Sequence, residues 1–383
     1  MIPYGRQDIR EEDVQAVLDV LRSDFLTQGP VVTRFEEALS GAVNARHAVA
    51  TNSATSALHV ACLALGVGPG DTVWTSPNTF VASANCARYC GAEVDFVDID
   101  PSTGNISVVA LREKLDVARR EGRIPKALIP VHYAGQPCDM TVIAELAEDY
   151  GFSVIEDASH AIGAAWGDEP VGSCRFSDIT VFSFHPVKIV TTGEGGMAVT
   201  NDTELADRMS RLRSHGITRD PGLMDRDPDG SWYYQQVELG FNYRMTDLAA
   251  ALGISQLSRL SMYVERRRQL AARYDRMLSG LPCAPLDRMP GVASAWHLYV
   301  IRLSDPARRR EVFDHLKGEG VGVNVHYIPV HLQPYYGALG FSQGQFPAAE
   351  SFYASALTLP LHPRLSDEEQ SHVVDALRDA LEE

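Results

Sequence analysis

The segment SFHPVKIVTTGEGG, residues 183–196, sets Lys188 between apolar neighbours and a glycine-rich turn. Of the 34 Lys and Arg residues only four are lysines: Lys114, Lys126, Lys188 and Lys317. A guanidinium keeps its proton, whereas a desolvated ammonium can release one and act as a nucleophile or base. Lysines retained in an arginine-rich chain are therefore the ones to test for amine chemistry. Lys114 in LREKLDVARREGR and Lys317 in FDHLKGEG fall in polar helical stretches and read as solvated surface. Lys126 opens the apolar run ALIPV and reads as a charge at a strand edge. Lys188 differs, because Val187, Ile189 and Val190 beside it favour desolvation and a lowered amine pKa.

Two more segments carry chemistry of a matching kind. In TNSATSAL, residues 51–58, small and hydroxyl side chains stand at a helix start. Ser53, Ala54 and Thr55 there can offer amides and hydroxyls to a phosphate, or serve as an ordinary helix cap. In VIEDASH, residues 154–160, Asp157 ends an apolar strand and is either a cap or the counter-charge of a buried cation. An amine for a Schiff base, an acid for a protonated pyridine nitrogen and an anion-binding helix start are the three handles of pyridoxal 5′-phosphate. A carboxylate beside the pyridine nitrogen raises its proton affinity by charge pairing. Ser183, five residues before Lys188, can add a hydroxyl to the phosphate, and Phe80 in SPNTFVASAN can cover a ring face.

The elements that must position these residues alternate in type up to about residue 200. Short apolar runs (HAVAT, TVWTS, EVDFVDI, KALIPVHY, FSVIED) are separated by amphipathic helical stretches. That alternation predicts an α/β fold, an open and mostly parallel sheet covered on both faces. In such sheets ligands sit beyond the carboxyl ends of the strands, where all three segments fall. DITVFSF and GMAVTN flank Lys188 closely, as a hairpin or as two strands added in sequence; spacing alone leaves both open. A turn-rich stretch follows residue 215, then a long helical stretch over TDLAAALGISQLSRLSMYVERRRQLAARYDRMLSGL. The division is expected inside that helix: 1–255 as a large α/β domain with the N-terminal segment, 256–383 as a small C-terminal α+β domain. Ser366 and Glu369 in SDEEQ give the last helix a capping box.

Composition narrows the partners. A formal charge of −16 over 383 residues argues against nucleic-acid binding, which needs a basic surface. The six cysteines form no C-x-x-C pair, and Cys86 and Cys90 read as packing rather than a metal site. Reduced thiols fit a cytoplasmic protein. The polar start MIPYGRQDIREEDV lacks a signal-peptide core, and no run reaches the ~18 apolar residues that span a membrane.

The ordered blocks LTQGPVVTRFEEALS, NSATSALH, PNTFVASAN, VHYAGQPCDM, IEDASHAIGA, SFHPVKIVTTGEGGMAVTND, RSHGI and FNYRMTDLAAALGISQL resemble the DegT/DnrJ/EryC1/StrS sugar aminotransferases over nearly the whole chain. That family belongs to fold type I of the pyridoxal-phosphate enzymes: a three-layer α/β/α domain with a small C-terminal domain. Within it, NSATSAL, SFHPVK, NVHYIPVHLQPYY and FPAAESFY are most similar to the 4-aminotransferase branch of pseudaminic acid biosynthesis. The resemblance implies that Lys188 forms the Schiff base and shuttles the proton, that Asp157 pairs with the pyridine nitrogen, and that His160 faces the ring hydroxyl. It implies phosphate contacts from Ala54, Thr55 and Ser183, joined by Asn242 of a second copy of the chain, hence a homodimer with shared sites. Many relatives carry Gly where this chain has Ala54, a change also found in the pseudaminic branch. Substrate contacts are implied for Tyr4, Asp24, Phe25, Leu26, Thr27, His215, Asn324, Val325, His326 and Tyr327. The implied substrate is a nucleotide-linked 4-keto-6-deoxy sugar, the donor an amino acid such as L-glutamate, and the carrier form pyridoxamine phosphate. Relatives that dehydrate their sugar replace the lysine by histidine; Lys188 points away from them. No metal is implied.

Overall fold

A computed structural model describes residues 1–382. The first strands follow the expected alternation: β1 (His47–Thr51), β2 (Thr72–Thr75), β3 (Glu93–Phe96), β4 (Ala127–Ile129) and β5 (Ser153–Asp157). A small hairpin follows, β6 (Ala165–Trp166) with β7 (Glu169–Pro170), and then β8 (Ile179–Ser183) and β9 (Gly196–Thr200). Seven of these form one sheet in the order β1-β9-β8-β5-β4-β2-β3. β9 runs antiparallel to both neighbours, while the β8-β5-β4-β2-β3 pairings are all parallel. The question left by DITVFSF and GMAVTN is thereby answered: β8 and β9 are adjacent and antiparallel, with Ser183 opposite Gly196.

Alternate residues of the strands feed different cores, as a two-residue period requires. Ile155, Val181 and Ala198 pack with the helices α3 (Ala54–Ala64) and α4 (Ala82–Tyr89) on one face. On the opposite face Phe182, Met197 and Val199 pack with α2 (Pro30–Val43). Val154 belongs to a further cluster, with Leu128 and Trp74. The same alternation sends Asp157 toward α4. Glu156 instead meets His132, whose Nε2 lies 2.7 Å from Glu156 Oε2.

The expected long helix after residue 245 is two helices, broken at Ser258–Arg259 into Asp247–Leu257 and Leu260–Met277. Arg259 at the break leaves helical geometry and donates to both carboxylate oxygens of Asp13, which ties the junction to α1 (Glu11–Leu21). The proposed division at residue 255 falls in the last turn before this break. Beyond it, Cys283–Pro285, Tyr299–Leu303 and Ala356–Leu359 form a three-stranded antiparallel sheet. Ile2 packs in the same C-terminal core and bridges Val321. The chain's first residues therefore lie beside residues 320–324 and carry Tyr4 toward His326, with ring centroids 5.4 Å apart. The final helix has its capping box: Ser366 N–H donates to Glu369 Oε2 and Glu369 N–H to Ser366 Oγ.

Candidate active site

The carboxyl ends of β1, β5 and β8 open onto one cavity of about 540 Å³. At its floor α3 begins. Ser53 caps the helix by accepting from Ser56 N–H at 3.1 Å, so the first-turn amides of Ala54 and Thr55 have no acceptor within the helix. Gly196 opens β9 directly against that turn. A Cβ there would lie 2.4 Å from Ala54 N and 2.5 Å from Ser53 C, so only glycine permits this approach.

Lys188 rides on the loop between β8 and β9, its backbone N–H donating to His185 O at 2.8 Å. The loop's far side is tied to β8 by Thr192 N–H to Phe184 O at 3.0 Å and by Thr191 Oγ1 to the same carbonyl at 3.1 Å. Burial pushes the Lys188 amine down to about 8, against the charge of Asp157, which acts the other way. Asp157 is buried, with Oδ1 accepting from Ser159 N–H at 3.1 Å and Oδ2 from Ser83 Oγ at 2.6 Å.

Imidazoles line the remaining wall. His160 Nε2 lies 3.1 Å from Tyr327 OH, and its buried Nδ1 has no partner. The His297 ring lies 4.4 Å from it, centroid to centroid, tilted by 43°. Burial, reinforced by nearby positive charge, holds both rings well below the usual histidine range. His326 is held to about 3 by burial and then by Lys188; its ring nitrogens meet Thr358 Oγ1 at 2.8 Å and Asn324 Nδ2 at 3.3 Å. These three rings are therefore neutral at physiological pH.

A model of the DegT/DnrJ/EryC1/StrS aminotransferase family matches residues 7–378. The chain belongs to this family. It is 40% identical to the spore coat polysaccharide biosynthesis protein SpsC of Bacillus subtilis, across 99% of this chain and 96% of SpsC. It is 38% identical to the UDP-4-amino-4,6-dideoxy-N-acetyl-beta-L-altrosamine transaminase of Campylobacter jejuni, across 100% of this chain and 98% of that protein. Among solved structures, Helicobacter pylori PseC, an aminotransferase of pseudoaminic acid biosynthesis, superposes with a TM-score of 0.92 at 32% identity, covering 100% of this chain and 99% of PseC. Spr1654 of Streptococcus pneumoniae, solved in PLP and PMP forms, gives 0.89 and 0.90 at 32% and 33% identity, with full coverage of this chain and 98% and 99% of its own. As a member of the DegT/DnrJ/EryC1/StrS family the chain is a fold type I, pyridoxal-phosphate-dependent sugar aminotransferase.

The residues present fit that cofactor. The start of α3 at Ala54 and Thr55 lines the cavity together with Ser183, a grouping able to hold an anion, and Gly196 lets β9 pass close behind the Ser53–Ala54 peptide. Lys188 supplies a desolvated amine, Asp157 a hydrogen-bonded carboxylate, and His160 a buried ring nitrogen without a partner.

Thirteen sequence-predicted residues line this cavity: Tyr4, Ser53, Ala54, Thr55, Phe80, Asp157, His160, Ser183, Lys188, Asn324, Val325, His326 and Tyr327. The others lie outside it. Asp24, Phe25, Leu26 and Thr27 form an exposed turn before α2, held where Asp247 N–H donates to Leu26 O and where Thr27 bridges Thr246. His215 is exposed in a turn, and Asn242 is exposed where it bridges Ser214, the residue before that turn. Sequence reasoning passed over His185, Glu194 and His297, which also line the cavity. His297 carried no signal, because it sits 137 positions after His160 in an unremarkable AWHLY run. Lys114 is a correction. It is not solvated surface but sits in a larger depression of about 910 Å³ at the opposite end of the sheet. There its amine pairs with Asp95 at 2.6 Å, donates to Phe96 O at 2.6 Å and lies over the Trp74 ring.

Proposed function

We propose that the substrate is a UDP-linked 4-keto-6-deoxy-N-acetylhexosamine, UDP-2-acetamido-2,6-dideoxy-β-L-arabino-hexos-4-ulose, aminated at carbon 4 with L-glutamate as donor in pseudaminic acid biosynthesis. The observation that carries the chemistry is the convergence of Lys188, Asp157 and the start of α3 on one cavity. Full-length similarity to a UDP-sugar transaminase and to PseC supports the substrate class. A second reading, a different UDP- or dTDP-linked keto sugar, is favoured by the 40% identity to a spore-coat polysaccharide protein.

When bound, pyridoxal phosphate supplies a carbonyl for amines and a protonated ring that withdraws electrons. The chain's own residues do the rest. The Ala54 and Thr55 amides and the Ser183 hydroxyl would hold the phosphate at the positive end of α3. Asp157 would keep the ring nitrogen protonated. Lys188 would form the covalent link and, once displaced, move the proton between the substrate carbon and the cofactor. An amine with a pKa of about 8 both accepts and returns a proton near neutral pH. Phe80, with a ring 58% exposed at the rim, would cover the ring face, and His160 would meet the ring hydroxyl. Tyr4, Asn324, Val325, His326 and Tyr327 would bound the sugar.

The reading includes a homodimer. Asn242 lies outside its own chain's cavity, and the segment leading to it exposes Trp232 at 71% and Leu239 at 80%. Apolar exposure of that size favours a protein contact. A second copy would bring Asn242 to the phosphate and place His215 and the Asp24–Thr27 turn at the shared site. No described helix is long and apolar enough to cross a membrane, and all six cysteines are free, which supports a cytoplasmic location.

Mixing the purified protein with glutamate is expected to bleach its visible absorbance, and the UDP-linked keto sugar to restore it. Restoration only by dTDP-linked sugars would overturn the substrate and leave the aminotransferase in place.

A further inference from the structure

Ser83 is the second residue of α4, where a serine ordinarily turns its oxygen toward the helix's own free amides. Here it does not: the N-cap position, Val81, has no side-chain cap, and Ser83 Oγ points across to the end of β5. Its oxygen lies 2.6 Å from Asp157 Oδ2 and 2.8 Å from Thr79 Oγ1. A carboxylate can only accept, so the single Ser83 hydroxyl proton goes to Asp157. The Thr79 hydroxyl must then donate to Ser83. A directed chain results, Thr79 to Ser83 to Asp157. All three side chains are buried, Ser83 completely, so bulk water does not replace a lost donor.

We propose that Ser83, oriented by Thr79, is a positioning residue for the cofactor-facing carboxylate of Asp157. The proposal rests on the reading of Asp157 as the partner of the pyridine nitrogen. With Ser159 N–H on Oδ1, the Ser83 hydroxyl fixes both carboxylate oxygens. Each oxygen keeps a further lone pair for the ring nitrogen's proton. Held from both sides, the carboxylate stays aimed at the ring nitrogen and the proton it carries. Glu156, the neighbouring acid, takes no part, because it faces the other side of the sheet toward His132, Ser177 and Thr180.

The test uses Ser83→Ala and Thr79→Val in the full-length protein, each against wild type. Three quantities are read: the PLP dissociation constant of the apo-protein, the pH dependence of the bound cofactor's visible band, and the single-turnover rate with glutamate. Ser83→Ala is expected to weaken PLP binding and slow the single turnover by about tenfold or more. Its spectral transition should also shift in pH. Thr79→Val, which retains the Ser83 donor, is expected to shift the same quantities the same way but less. This arm keeps the test decisive where Ser83→Ala does not fold. A packing role alone would lower thermal stability and leave the spectral transition in place. An unshifted transition with wild-type PLP affinity in the folded variants would overturn the inference. Wild-type protein that itself bound no PLP would instead overturn the reading of the site.

Discussion

At the scale of single residues, function turns on bringing the pKa of one amine down toward neutrality, so that it can release and retake a proton. Desolvation does this for Lys188, and the opposing pull of Asp157 is the smaller effect. The free-amine fraction is therefore half-maximal at a pH of about 8 and saturates above it. Apo-protein should take up PLP into a borohydride-reducible linkage at a rate that is half-maximal near that pH and flattens above it. A lysine in water would keep climbing toward about 10.4. Much of this was readable in the chain, because a lysine among valines and isoleucines in an arginine-rich protein stands out. Lys114 shows the limit of the same argument. Its local sequence is polar, yet Asp95 and Trp74 close over it from other elements, and no window around residue 114 contains them. His297 was invisible for the same reason, since its contact with His160 exists only after the chain has folded.

At the scale of elements, the site is a meeting of one helix start with the ends of parallel strands. The approach of β9 to α3 is the tightest part of it. Gly196→Ala would drive a Cβ into the Ser53–Ala54 peptide, so the cradle must open by a shift of helix or strand. The expected result is PLP affinity lower by about tenfold or more, with a stability loss of about 1–3 kcal/mol, read by titrating apo-protein and by thermal melts. Unchanged affinity would show that the cradle does not hold the phosphate. The sequence pattern was enough to identify β1 to β5 and the helices between them, because each carries its own period. It was not enough for the direction of β9 or the break at Ser258–Arg259. Those depend on partners far along the chain, β1 for the strand and Asp13 for the break.

At the scale of the whole molecule, the chain completes most of one cavity by itself and leaves Asn242, His215 and the Asp24–Thr27 turn facing solvent. If sites are shared between two copies, mixed variants should complement. Lys188→Ala and Asn242→Ala proteins, each impaired alone, should regain about a quarter of wild-type activity after unfolding and refolding together, since half the dimers are then hybrids with one intact site. No recovery would show that each copy builds its site alone. The resemblance of many ordered blocks made the family legible from sequence, but not this division of labour, which depends on surface that a single chain leaves bare. The most direct test of the central claim exploits the scarcity of lysine, with four in the molecule. The PLP-loaded protein is reduced with borohydride, digested and mapped by mass spectrometry. A cofactor adduct on Lys188 alone is the expected result. An adduct on Lys114, Lys126 or Lys317 instead, or no adduct on any lysine, would contradict it.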